Sequence, residues 1–384
     1  MTSAPEQALP PLYAGWVREL LGGPIPRETE ATCAQCAMWP HGAEDRGSRS
    51  LYFDPVIKCC TYVPNLSNFL VGRILSDTDP AARPGRASVE RRIAAGIGVT
   101  PLGVRQSPIF KLLYENSSDF FGRARALVCP HYLVNSGGCG IWRHRSSTCA
   151  TWFCKHVRGQ LGYTFWRDSL HWLLHAVEDD LARWCLLELQ PGDEVLRELA
   201  AGPADSLTGA TLDHRVDEEA YARAWGEWQG HERQFFLRCA ALVEPLSWSD
   251  VLTIAGPQAR SYAELTRRAY ARLLSDDIPP ALEAGSMRLV QMRDGITRVS
   301  SYSTYDPLDV PGAVMELLRY FDGRPTADAL AAIARERGLR LEPALVRKMV
   351  DFGLLVPPKP ASGPSSRERA SRRPGLRRPP HRAT

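Results

Sequence analysis

Residues 166–189 read WRDSLHWLLHAVEDDLARWCLLEL. Apolar side chains recur at steps of three and four residues with acidic and basic ones between them, the pattern of an amphipathic helix. Two more helical stretches are expected within 214–243 and 258–275, so the middle of the chain reads as a helical scaffold. Toward the N-terminus, LYAGWVRELL (12–21), RASVERRIAAGIG (86–98) and SPIFKLLYENSSDFFGRARAL (107–127) carry the same period. GGPIP (22–26) ends the first of these helices, and the next stretch is loop-rich. From Met287 the character changes. MRLVQMRDGITRVSSYS (287–303) predicts a β-hairpin around Asp294-Gly295, followed by three short helices in GAVMELLRYF, TADALAAIARER and EPALVRKMVDFG.

With 384 residues and 44% hydrophobic content the chain can bury a core without disulfide staples. The start, MTSAPEQALPPLYAGW, has no basic segment leading into an apolar run, and no stretch approaches the ~18–20 apolar residues of a membrane span. A cytoplasmic location is the expectation, with no membrane partner. In that reducing compartment ten cysteines point to metal binding or redox chemistry rather than to disulfides. The formal charge of +4 is carried by the tail: residues 357–384 hold Lys359 and seven arginines against one glutamate, leaving the body near −3. The body's charge does not support a nucleic-acid-binding role, and no specific nucleic-acid partner is expected, while the tail can meet acidic surfaces without specificity. Its proline, serine and arginine content predicts disorder.

Eight cysteines, Cys33, Cys36, Cys59, Cys60, Cys129, Cys139, Cys149 and Cys154, fall within 122 residues. Cys185 and Cys239 sit in helical patterns beside leucine and alanine and read as core. Cys33-x-x-Cys36 suits two sulfurs converging on one metal from a tight turn, and Cys59-Cys60 can complete a four-thiolate set. Neighbouring side chains of an extended segment point to opposite sides, so both members of that pair reach one tetrahedral ion only if the backbone turns sharply. A polynuclear cluster or two separate sites would use both more easily. In the second group no acidic residue occurs between Asp119 and Asp168, whereas Arg123, Arg125, Arg143, Arg145, Lys155, Arg158 and Arg167 do. Nearby cations favour the thiolate that ligates metal, and a positive shell fits an anionic centre. Because structural zinc is worth ~10–16 kcal/mol, metal removal is expected to loosen the first 160 residues.

At these residues the sequence resembles the YkgJ-type family of zinc- or iron-chelating cysteine-cluster proteins. The shared elements are Cys59-Cys60, Cys129-Pro130, Gly138-Cys139-Gly140-Ile141-Trp142, Arg145 and Cys149-Ala150-Thr151-Trp152-Phe153. The chain departs from the pattern in the 22 residues between Cys36 and Cys59, in Ser146 where a proline is usual, and in Cys154. The resemblance covers residues 30 to 160. It implies an iron-sulfur cluster, such as 4Fe-4S, or zinc, and leaves the reaction open. One branch resembles flagellin lysine N-methylase, which would bring in S-adenosylmethionine, although no cofactor pocket is legible. Residues 286–356 resemble winged-helix-like peptide-binding domains of the PqqD type, which implies a protein or peptide partner there.

The expected architecture is therefore mainly α. An irregular Cys-rich metal-bound region with its supporting helix (1–190) rests on a helical scaffold (191–280), followed by a small α+β winged-helix-like module (286–356) and a disordered basic tail (357–384). Three functions are open. The first is a metal-binding protein with an iron-sulfur cluster or zinc on clustered thiolates. The second is a metal-dependent protein-modifying enzyme of the N-methylase type, and the third a non-catalytic adaptor with structural zinc. Among the histidines, His131, His144 and His156 lie between the cysteines and can replace a thiolate or bond a sulfur. His171 and His175, four apart on a helix with Glu178 or Asp179 nearby, form a second chelating candidate. A catalytic Cys149–His144 pair would need one cysteine, and eight in two groups are better explained by ligation.

Overall fold

The computed structural model describes residues 9–28, 36–38, 52–117, 120–189, 192–193, 195–197, 209, 213 and 215–358. Cys33 and nearly all of the basic tail lie outside these residues. The fold is mainly helical with small sheets, in two compact units: residues 1–276 with 302–308, and 277–301 with 309–384.

In the first unit, α1 (Pro11–Leu21) opens with proline, whose missing N–H costs nothing in a first turn, and closes on Gly22 in the left-handed region. It buries Tyr13, Trp16, Val17 and Leu20. Helices α2 (Asn68–Ser76), α3 (Arg83–Ala95) and α4 (Pro108–Glu115) come next, then the five-residue α5 (Ser147–Thr151). In 107–127 the α-helix ends at Glu115; Asn116 and Ser117 turn the chain, and 3₁₀ geometry is found at Arg125–Leu127. The stretch 166–189 lies in a longer rod: α6 (Gly159–Tyr163) runs through a π-turn at Thr164–Leu170 into α7 (His171–Glu188).

Helix α8 (Glu218–Trp225), α9 (Glu232–Val243) and α10 (Trp248–Leu274) complete the unit. A Ser247/Asp250 capping box starts α10 ten residues before the expected stretch, and Gly256-Pro257 kinks it. One hydrophobic core joins α1, α2, α7, α9 and α10, with Trp166, Trp225, Phe69 and Phe235 fully enclosed. The expected segments 1–190 and 191–280 thus share it. Buried Asn68 ties the parts together by donating to the carbonyls of Pro101 and Ala182, at 3.0 and 2.9 Å. Two small sheets complete this unit: β1 (Leu66–Ser67), β2 (Val99–Thr100) and β3 (Gly103–Val104) in the order β1-β3-β2, and a ribbon of β4 (Tyr132–Leu133) with β5 (Gly138–Cys139).

The second unit holds the expected hairpin. Strands β6 (Ala281–Ala284), β7 (Arg288–Arg293) and β8 (Ile296–Ser300) come first, and β7 pairs antiparallel with β8. Asp294 and Gly295 both have positive φ, 51° and 75°, as a two-residue turn matched to strand twist requires. With β9 (Leu308–Pro311) the sheet order is β7-β8-β9. Helix α11 (Gly312–Leu317), β10 (Asp322–Pro325), α12 (Thr326–Arg337), α13 (Pro343–Asp351) and β11 (Leu355–Val356) complete it, with a second sheet β10-β6-β11. No helix among the described residues is long and apolar enough to cross a membrane.

Candidate metal centre

Cys36, Cys59, Cys60, Cys129, Cys139, Cys149 and Cys154 all lie in the first unit, and Cys59, Cys60, Cys129, Cys139, Cys149 and Cys154 are free thiols. The adjacent pair stands where the backbone reverses. Lys58 takes φ 52°, its N–H reaches the Asp54 carbonyl at 2.8 Å, and the Cys60 N–H reaches the Ile57 carbonyl at 3.0 Å. The turn brings the two sulfurs together: Cys60 donates to Cys59, which lowers the Cys59 pKa against its burial, while Cys60 is held firmly as the thiol.

The second group is stitched to this turn. The Cys129 N–H donates to the Cys60 carbonyl at 2.8 Å, and Lys58 Nζ donates to the Gly137 carbonyl at 2.9 Å. The β4–β5 ribbon, with Tyr132 opposite Cys139, folds residues 129–139 back on themselves, and the Gly140 N–H closes on the His131 carbonyl at 2.8 Å. Beyond the ribbon, Gly85 of α3 lies so close that a Cβ there would stand 1.9 Å from the Gly140 carbonyl oxygen. Helix α5, carrying Cys149, is latched from α7: Glu178 accepts the Ser147 N–H at 2.5 Å, the Ser147 hydroxyl at 2.8 Å, and the Tyr13 hydroxyl from α1.

The thiols lie within electrostatic range of one another. Cys60 is raised by Cys59, Cys129 and Cys139 after burial and its bond to Cys59; Cys149 by Cys139, Cys129 and Cys59 after burial; and Cys154 by Cys59 and Cys36 after burial. Burial pushes Cys129 up to about 12 and raises Cys139 as well. Opposing this, the backbone N–H groups of His131 and Ile141 favour the ionised sulfurs of Cys129 and Cys139. Buried Arg145 favours the ionised forms of Cys59, Cys139 and Cys149, its guanidinium lying 3.3 Å from the centroid of the Trp142 ring. Lys58 and Arg92, outside the segment that sequence singled out, add to Cys59 and Cys129, and Lys155 adds to Cys154.

The expected positive shell is thus narrower than the composition of 119–168. Arg125 bonds Asp54 at 2.7 Å, Arg143 pairs with Asp77 and Asp79, Arg158 binds the carbonyls of Leu273 and Ser275, and Arg167 lies over Trp152. On the Cys154 side the wall is aromatic: Phe53, Phe121, Trp152 and Tyr305 pack edge to face or tilted at 5.4–6.3 Å, and Cys154 raises the Tyr305 hydroxyl after burial does. Tyr305 comes from residues 302–308, which return to this unit after the hairpin.

The histidines divide. His131 is buried, its Nδ1 2.7 Å from the Ser88 hydroxyl and its Nε2 without a partner, and burial followed by Arg92 lowers it to about 3, so the ring is neutral. His144 Nε2 is 2.8 Å from Asp77. His156 is enclosed beside Glu28, 3.6 Å away, and both its ring nitrogens lack hydrogen-bond partners. His171 and His175 stack in parallel at 5.9 Å, and His171 Nδ1 stands 3.3 Å from the Thr151 hydroxyl. Cys185 and Cys239 lie fully in the core, the Cys185 Sγ 3.7 Å from the Cys239 carbonyl.

Among the described residues, no three Cys, His, Asp or Glu side chains stand in an arrangement that would hold a metal ion. The donor set nevertheless has the chemistry of a thiolate site: thiols within electrostatic range of one another, the Cys59 pKa lowered, beside a buried guanidinium and backbone N–H donors. The chain matches no known family model, no curated protein and no solved structure.

Proposed function

We propose that this chain is a metal-binding protein that carries an iron-sulfur cluster or zinc on thiolates drawn from Cys59, Cys60, Cys129, Cys139, Cys149 and Cys154, with Cys36 and Cys33 alongside. The observation that carries this reading is the hydrogen bond from the Cys129 N–H to the Cys60 carbonyl, which makes two cysteine groups 69 positions apart into one neighbourhood. As neutral thiols these groups cost little to bury; as thiolates they would repel one another, so they ionise together only where a cation supplies the opposing charge. Bound metal supplies that charge and releases the thiol protons. Zinc would act as a structural cross-link of the loops, and an iron-sulfur cluster would add one-electron chemistry.

Variants test the reading residue by residue. Cys129→Ser, Cys139→Ser and Cys149→Ser each lower bound metal per chain after anaerobic purification, while Cys185→Ser and Cys239→Ser leave it unchanged. Wild-type metal content in the first three removes the reading. Visible absorbance of the purified chain separates an iron-sulfur cluster from colourless zinc.

A further inference from the structure

Beside this centre lies a cavity of about 170 Å³, reached from α7 by His175, Glu178, Asp179 and Arg183, from residues 62–67, and by Arg105 and Thr148. It is smaller than the roughly 300–1,000 Å³ of drug-sized sites, so it has room only for a small molecule. Thr148 directly precedes Cys149, which brings the cavity wall up to the thiol cluster.

Its charges are unevenly committed. Arg183 pairs with Asp180 at 3.3 Å, and Glu178 is occupied by Tyr13 and Ser147. Arg105 is half-buried and held by its backbone, the carbonyl accepting from Arg92 at 2.5 Å, yet its guanidinium has no hydrogen-bond or ion-pair partner among the described residues. Asp179, also half-buried, has a carboxylate equally without a partner. One unpaired cation and one unpaired carboxylate on the walls of the same small polar cavity, not paired with each other, suit a ligand bearing both opposite charges. A guanidinium fork matches a carboxylate, and a carboxylate accepts from an ammonium group.

We propose that this cavity binds a free α-amino acid, its carboxylate toward Arg105 and its ammonium toward Asp179, next to the Cys149 loop. The proposal stands apart from the metal reading, since neither charge belongs to the thiol cluster.

Isothermal titration of the full-length protein with the common free L-amino acids tests it, followed by the N-acetyl and amide derivatives of the tightest binder. At least one free amino acid is expected to bind. Each derivative, lacking one of the two charges, should bind at least about tenfold more weakly, as loss of one charge-assisted hydrogen bond implies. R105Q and D179N should show the same loss with unchanged circular dichroism and unchanged bound metal. Absence of binding by every free amino acid overturns the proposal, as does a derivative that binds as tightly as its parent. Inorganic phosphate binding as tightly as the best amino acid would reduce the site to an anion contact at Arg105 and also overturn it. A chain that binds an amino acid yet holds no metal leaves this proposal standing while the metal reading falls.

Discussion

Glu178 links α1, α5 and α7 through one carboxyl, and replacing it with glutamine isolates what that carboxyl does. It is enclosed, and burial, outweighing the hydrogen bonds from Tyr13 and Ser147, pushes it from 4.5 up to about 7. The folded protein therefore keeps the Glu178 proton to about pH 7, whereas the unfolded chain releases it near 4.5. Between those values the native state binds more protons, so stability falls as pH rises through the window. The difference of about 2.5 units corresponds to about 3 kcal/mol, absent below pH 4.5 and complete above pH 7. Glu178→Gln is neutral at every pH and keeps an oxygen to accept from Tyr13 and Ser147. Urea unfolding followed by circular dichroism, run on both proteins from pH 4.5 to 8, reads the difference in stability, and subtraction cancels every other titrating group. The variant should gain on the wild type by about 3 kcal/mol across that range. A difference that stays flat, or that moves toward the wild type as pH rises, refutes the linkage.

Two further substitutions probe the loops that carry the thiols. Gly85→Ala puts a methyl where the Gly140 carbonyl stands, so α3 and the Cys139 loop must separate; thermal melts should show a loss of about 1–3 kcal/mol, and elemental analysis less metal per chain. Arg145→Leu removes the cation shared by Cys59, Cys139 and Cys149, and competition with a chelator should show metal affinity reduced roughly 10- to 100-fold.

Much of the helical frame was legible. The periodicity of 12–21, 86–98 and 166–189 reports helices because each buries one face, and Asp294-Gly295 reports its hairpin because few residues tolerate two positive φ values in succession. The end of α4 and the early start of α10 were not, since a continuing apolar pattern hides Asn116-Ser117 and a capping box depends on two side chains rather than on period. At the candidate site the cysteines were conspicuous by spacing. The turn at Lys58 answers the geometric demand that adjacent cysteines made on the backbone. What spacing could not give was the long-range partners. Glu178 stands out in sequence only as a neighbour of the His171–His175 pair, yet it is enclosed and bonded by Tyr13 from 165 positions away. Arg92 and Tyr305 likewise reach the thiols from elements with no cysteine of their own. The arginine-rich composition overstated the positive shell because several of those residues are spent on Asp54, Asp77, Asp79 and backbone carbonyls.

Metal counted per chain in wild-type protein purified without oxygen, by elemental analysis together with acid-labile sulfide, tests the central claim most directly. The account predicts at least one zinc per chain, or several irons with matching sulfide, retained through gel filtration. A folded chain that carries neither contradicts it.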